Sequence, residues 1–206
     1  MGTKERILLG AQELFFRFGI RSITMDDIAK HLGMSKKTIY QFYKDKDEVV
    51  HSLMQMKLKE DEKDFGAIHN NASNIVDEVF GMMQCMSQIF SQINPTIFYD
   101  MQKYHTNTWK LFKDFKTKFI LGLVEKTVAK GIKDGLVRAD VNPKIMARLR
   151  IEEIEMGFNP AVFPTEQFKL LEVQLAMVEH FLYGICTLKG HKLIDKYKKT
   201  LSKNTK

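Results

Sequence analysis

Apolar residues recur at intervals of three and four along most of the chain, the spacing of helices with one buried face. Ile7, Leu8, Ala11, Leu14, Phe15 and Phe18 predict a first helix over 3–18, ended by Gly19. A helix over about 46–64 turns strongly polar from Lys57 to Asp64, which suits a bridge between domains, and GAIHNNASN reads as a break after it. Ile75, Val79, Met82, Met86, Ile89 and Ile93, widened by Met83 and Phe90, predict a helix over 74–93 that Asn94-Pro95 stops. A short helix to Tyr104 and a long one over 106–133 follow, then a turn, GIKDGLVRADVNP, and a helix over 143–156. The loop GFNPAVFP leads to a helix over 165–188 with two apolar stripes. One is Phe168, Leu171, Leu175, Val178, Leu182 and Ile185; the other is Leu170, Val173, Met177, Phe181 and Leu188. The stripes lie on nearly opposite faces, so this helix needs two partners, one of which is plausibly the same helix of a second subunit. A final basic helix covers 191–201. The expected fold is all-α.

Between the first helix and the polar one lies TMDDIAKHLGMSKKTIYQFYKDK, residues 24–46. Thr24 caps a short helix with Asp27 in the return position of a capping box, and Ile23 and Ile28 have the spacing of a hydrophobic staple. Gly33 supplies a left-handed stop. Ser35 caps a second short helix, and Asp45 a third, with Glu48 three residues on. Two capped helices joined through one glycine have the form of a helix-turn-helix. Each is too short to stand alone, and the first helix is the support they need.

The second helix displays Lys36, Lys37, Thr38, Tyr40 and Gln41, while Ile39 points into the core. In a helix-turn-helix the start of the second helix meets base edges in the major groove. Lysine donates to guanine, glutamine pairs with adenine, and hydroxyl groups and backbone N–H groups reach phosphates. The bland alternative is a solvated lysine pair on an ordinary short helix.

Residues 23–50 resemble the DNA-binding domain of the TetR family of bacterial transcriptional regulators. Thr24, Ile28, Ala29, Gly33, Ser35, Lys36, Thr38, Ile39, Tyr40, Phe42, Tyr43, Lys46 and Glu48 carry the resemblance. It implies an all-helical protein: a three-helix DNA-binding domain over 1–50, then a helical bundle over 51–206 for effector binding and dimerisation. It also implies that Lys46 reaches a DNA phosphate. Lys37 stands where the family often has glycine or another small residue. Phe42-Tyr43 replaces a histidine or tyrosine followed by phenylalanine, so the phosphate contact of that family position is not carried to Phe42.

The net charge of +7 over 206 residues suits a polyanionic partner, but its distribution corrects that inference. Residues 1–50 carry +2, 51–186 carry −1, and 187–206 carry +6. The DNA-binding signal is therefore local, and the basic tail reads by default as solvated charge. Cys85 and Cys186 sit in apolar runs and read as small buried hydrophobes. No run has the length of a membrane span and no signal peptide is evident, so a cytoplasmic location is expected. Glu48 and His51 have the spacing of one half of a di-iron site, but no second Glu-x-x-His pair is present and Glu48 has a simpler role as a cap. No catalytic constellation, metal site or cofactor site is expected.

Methionines and aromatics over 82–119 are compatible with a soft pocket as well as with plain core packing. By the resemblance, an apolar or amphipathic effector is expected there, with Met86, Phe90, Tyr104, Trp109 and Phe112 as candidate lining. The candidate dimer interface is Leu171, Leu175, Val178 and Leu182 on one stripe and Val173, Met177 and Phe181 on the other. The function expected is a regulator, most often a repressor in this family, that binds a pseudo-palindromic double-stranded DNA operator as a homodimer and is released by the effector. The alternative is a helical carrier of hydrophobic molecules with a structural hairpin; a helical-bundle enzyme is the weaker rival.

Overall fold

The computed structural model describes residues 2–204, with the side chains of Gln88, Ile89, Gln92 and 200–204 outside the description. Ile89, counted above in an apolar stripe, and Leu201, given as the end of the last helix, thus lie outside the described side chains. The described residues form α1 (Thr3–Phe18), α2 (Met25–Leu32), α3 (Lys36–Tyr40), α4 (Lys46–Asn71), α5 (Ile75–Gln92) and α6 (Thr96–Tyr104). These are followed by α7 (Thr106–Asp114), a π-helical turn (Phe115–Ile120), α8 (Leu121–Lys133), α9 (Pro143–Gly157), α10 (Leu170–Ile185) and α11 (Leu188–Asn204). The chain divides into two compact units, 1–61 with 92–115 and 62–91 with 116–206.

In the first unit α1 is the platform. Ile7, Ala11 and Phe15 are buried with Ile28, Ile39, Tyr43 and Val49. α1 crosses α2 closely at Gly10, where a Cβ would lie 2.5 Å from Leu32 Cδ2. Arg6 donates to Leu32 O at 2.9 Å and so satisfies a carbonyl at the end of α2. The start of α6 joins the same unit: Asn94 N–H donates to Phe16 O at 2.7 Å, and the buried Asp100 accepts from Arg21 N–H at 3.0 Å. Trp109 and Phe112 stack with ring centroids 5.3 Å apart, and Phe98 lies 5.8 Å from Phe112.

The core of the second unit contains Ile75, Val76, Phe80, Met83, Val128, Val137, Val178, Leu182, Ile185 and Ile194. α8 packs on α9, α9 on α10, and α10 on α11. The approach of α11 depends on Gly190, where a Cβ would lie 2.6 Å from Leu136 O and 2.8 Å from Cys186 Cβ. An antiparallel bridge between Val137 and Cys186 ties the turn after α8 to the end of α10.

Three elements differ from the sequence expectation. α4 runs to Asn71, seven residues past the expected end, because Phe65 is buried and His69 is paired with Glu78, which hold its last turns. The expected long helix contains the π-helical turn, which brings Lys116 inside, where it pairs with Glu155. The expected 165–188 helix is α10 alone. Gln167 and Phe168 N–H groups both donate to Pro164 O in a turn before it, and Phe168 packs edge-on against Phe163. Leu188 begins α11 instead. Phe168 and Leu188 therefore belong to neither stripe of α10. Within the single chain α10 buries residues of both stripes: Val178, Leu182 and Ile185 of one, Leu170, Val173 and Phe181 of the other. Leu171, Leu175 and Met177 are half-buried.

Candidate nucleic-acid interface

The interface is built from caps. Thr24 Oγ1 accepts from Asp27 N–H at 3.2 Å, and Asp27 Oδ2 accepts from Thr24 N–H at 2.8 Å, a closed capping box. The Thr24 hydroxyl also donates to Asp27 Oδ2 at 2.6 Å, and this bond, with the one from Thr24 N–H, favours the Asp27 carboxylate and lowers its pKa. Gly33 takes the left-handed conformation at φ 61° and ends α2. Ser35 Oγ accepts from Thr38 N–H at 3.0 Å, and the two hydroxyls meet at 2.8 Å. α3 is only five residues long, so this cap and the fully buried Ile39 are what fix it. Asp45 Oδ1 accepts from Glu48 N–H at 2.8 Å, and Glu48 Oε2 accepts from Lys44 N–H at 2.7 Å. Glu48 thus closes the start of α4 as expected of a capping residue, but through Lys44 N–H, one residue before the cap Asp45. His51 Nδ1 lies 3.5 Å from Thr108 Oγ1.

These caps set which side chains face out. Ser35, Lys36, Lys37, Tyr40 and Gln41 are exposed and Thr38 is half-buried. Tyr40 is 45% exposed, high for so large an aromatic ring. Lys36 Nζ donates to Asp26 Oδ2 at 3.0 Å and stands 6.0 Å from the Tyr40 ring centroid. The hydrogen bond to Asp26 holds the Lys36 pKa above its ordinary value. Tyr43, by contrast, is buried: its hydroxyl donates to Lys4 O at 3.3 Å, and burial pushes its pKa up to about 12. Lys46 is half-buried and donates to Ile20 O at 3.1 Å and Ile23 O at 2.9 Å. Burial lowers its pKa, while the charges of Asp100 and Asp47 oppose that shift. In the free chain Lys46 thus braces the α1–α2 turn from the start of α4.

Residues 7–53 match the model of the family described as bacterial regulatory proteins, tetR family. The chain is 28% identical over 185 residues to the uncharacterized HTH-type transcriptional regulator YvaF of Bacillus subtilis (strain 168), covering 88% of this chain and 94% of that protein. The N-terminal segment is thus similar to the tetR family of bacterial regulatory proteins, and the chain as a whole to an HTH-type transcriptional regulator. Solved structures share the fold. A transcriptional regulator from Cytophaga hutchinsonii superposes with TM-score 0.70 at 20% identity, covering 91% of this chain and all of the other. SmeT, the repressor of the Stenotrophomonas maltophilia multidrug efflux pump SmeDEF, gives 0.62 at 16% identity, covering 91% and 92%.

The structure brings Thr24, Ser35, Lys36, Lys37, Thr38, Tyr40 and Gln41 together around the α2–α3 turn and α3, with Lys46 at the adjoining helix start. It assigns Tyr104, Trp109 and Phe112 to the first unit and Met86 and Phe90 to the second. Phe90 packs edge-on against Phe158. Two contributors were not singled out from sequence. Asp26 orients Lys36, ten residues away. Asp100 reaches Arg21, seventy-nine residues away. The first was readable as an acidic residue in the opening turn of α2; nothing local announces the second. Among the described residues no helix is long and apolar enough to cross a membrane, and no group of three His, Cys, Asp or Glu side chains is placed to hold a metal.

Proposed function

We propose that this chain is a TetR-family transcriptional repressor that binds a pseudo-palindromic DNA operator as a homodimer and releases it when a small apolar or amphipathic effector binds. Residues 1–50 form the DNA-binding domain, and 51–206 the effector-binding and dimerisation domain. The observation that carries the reading is the exposed start of α3, capped by Ser35 and ringed by Lys36, Lys37, Tyr40 and Gln41. Backbone N–H groups at that helix start, with the hydroxyls of Thr24 and Tyr40, meet phosphates; Lys46 reaches one after letting go of a carbonyl. Lys36 and Gln41 read base edges, and Lys37 adds a base or phosphate contact. TetR regulators bind DNA operators as dimers and respond to small-molecule ligands.

A reader of one and a half turns is specific only when doubled, which a two-fold axis provides. The surface offered for it lies on α9 and α10. Ile145, Leu149 and Met156 share one face of α9 at helical spacing, and all three are exposed, Ile145 by 58%. On α10, Ala176 is exposed beside half-buried Leu171, Leu175 and Met177. Val173, Val178, Phe181 and Leu182 are already buried within the single chain. An effector acts only through its differential affinity for the DNA-bound and released states. Sedimentation velocity at micromolar concentration tests the assembly. The wild type should sediment as a dimer, and Leu149→Glu should yield folded monomers that bind DNA far more weakly. A wild type that runs as a monomer and binds operator as one would overturn the reading.

A further inference from the structure

Glu78, in the first turn of α5, is the most deeply buried acidic residue described, at 1% exposure. Its Oε1 is well served: Thr127 Oγ1 lies at 2.5 Å and His69 Nδ1 at 2.7 Å. Its Oε2 is buried without a hydrogen-bond partner. An ionised carboxyl has about four acceptor positions, and leaving one whole oxygen dry costs roughly 1–3 kcal/mol or more. The other buried charges of this unit are neutralised by opposite charges: Lys116 by Glu155, and Arg150 by Glu153 at 3.4 Å. Among the described residues Glu78 has no lysine or arginine partner; its hydrogen-bond neighbours are a hydroxyl and an imidazole.

The face of α5 that carries Glu78 is apolar. Glu78 shares its face of α5 with Ile75 and the half-buried Met82, three residues before and four after. His69 retains 23% side-chain exposure, so the cluster lies one imidazole away from solvent. A methionine one turn along the helix from an orphaned carboxylate oxygen suits a molecule with a flexible apolar body and a donating, positively charged head.

We propose that Glu78, positioned by Thr127 and His69, anchors the protonated amine of a small amphipathic effector through its unpartnered Oε2. This rests on the effector reading of the preceding subsection and names the chemical class for it. The ammonium N–H groups would donate to Oε2, while the alkyl body lies along the α5 face of Met82.

Three probes with one chain length and different heads test it on the full-length protein: octylammonium, octanoate and octan-1-ol. Calorimetric affinity and melting temperature are read for the wild type, for Glu78→Gln and for Glu78→Met. Glu78→Met removes the buried unpaired oxygen and guards against a folding defect of Glu78→Gln. Octylammonium should bind the wild type most tightly and raise its melting temperature, and both variants should weaken it by about tenfold or more while leaving octanol unchanged. Octanoate or octanol binding as tightly as octylammonium, or octylammonium binding both variants like the wild type, would overturn the proposal and leave Oε2 to a buried water. No binding of any probe would overturn it too. Octylammonium binding through Glu78 without loss of operator affinity would sustain the amine site and contradict the effector reading instead.

Discussion

Ser35 separates the fold of α3 from its proposed contact with DNA, because two substitutions there act on different terms. Its Oγ caps α3 by accepting from Thr38 N–H at 3.0 Å, and α3 has only five residues to share the loss. Ser35→Ala removes the cap at a cost of about 1 kcal/mol. For a chain of this size that lowers the melting temperature by about 2–4 °C. Ser35→Asp keeps an acceptor at the same place and adds a favourable charge at the helix start, so stability should equal or exceed that of the wild type. Its effect on DNA is the reverse. A carboxylate about 6 Å from a phosphate is repelled by about 0.7 kcal/mol in water and about 3 kcal/mol at an effective dielectric of about 20. With two reading heads the loss doubles, to about 1.4–6 kcal/mol, or roughly ten-fold to more than ten-thousand-fold in affinity. Differential scanning calorimetry and fluorescence anisotropy on the same preparations give both numbers. Ser35→Asp binding operator as tightly as the wild type would refute the placement of α3 against the phosphates. Equal losses for Ser35→Ala and Ser35→Asp would show that the cap, not the charge, controls binding.

Other outcomes follow from single contacts. Lys36→Ala and Gln41→Ala should relax preference at particular base pairs by about 1–3 kcal/mol, whereas Tyr40→Phe should weaken all sequences alike; competition binding against single-base operator variants distinguishes them. Lys46→Ala should weaken all sequences alike and also lower the melting temperature, because Ile20 O and Ile23 O lose their shared donor. Gly190→Ala forces a Cβ to within 2.6 Å of Leu136 O and should destabilise by about 1–3 kcal/mol, read by urea unfolding. Burial pushes the Cys186 thiol up to about 11, so it should resist alkylation at pH 8 until the chain unfolds. The raised value means that the folded state holds this proton more tightly, so its stabilising contribution is complete below about pH 9 and declines as pH rises towards 11.

What was legible in the sequence was local. Thr24, Asp27, Gly33, Ser35, Asp45 and Glu48 act within four residues of themselves, so their caps could be read directly, and they carry the geometry of the reading head. What escaped was set by distant partners. Gly66 and Asn70-Asn71 have poor helical propensity, yet α4 continues through them because Phe65 is buried and His69 meets Glu78. The start of α10 was placed too early because Phe168 fits the helical period while packing on Phe163 instead. A single π-helical turn leaves the apolar stripes on either side nearly intact, so periodicity could not show it. Lys46 was readable as a cation near DNA, whereas its two carbonyl partners lie more than twenty residues back. Glu78 was legible and passed over: a charge three residues after Ile75 and four before Met82 stands in the middle of an apolar stripe.

The central claim is that this chain reads DNA sequence as a two-fold dimer through α3. Selection of bound duplexes from a random pool, followed by sequencing, tests it most directly. The account predicts enrichment of one pseudo-palindrome, with half-sites about one helical turn or a multiple of it apart. That enrichment should be lost for Ser35→Asp and altered at defined positions for Lys36→Ala. A pool that emerges with no enriched sequence, or with a single unrepeated half-site, would contradict it.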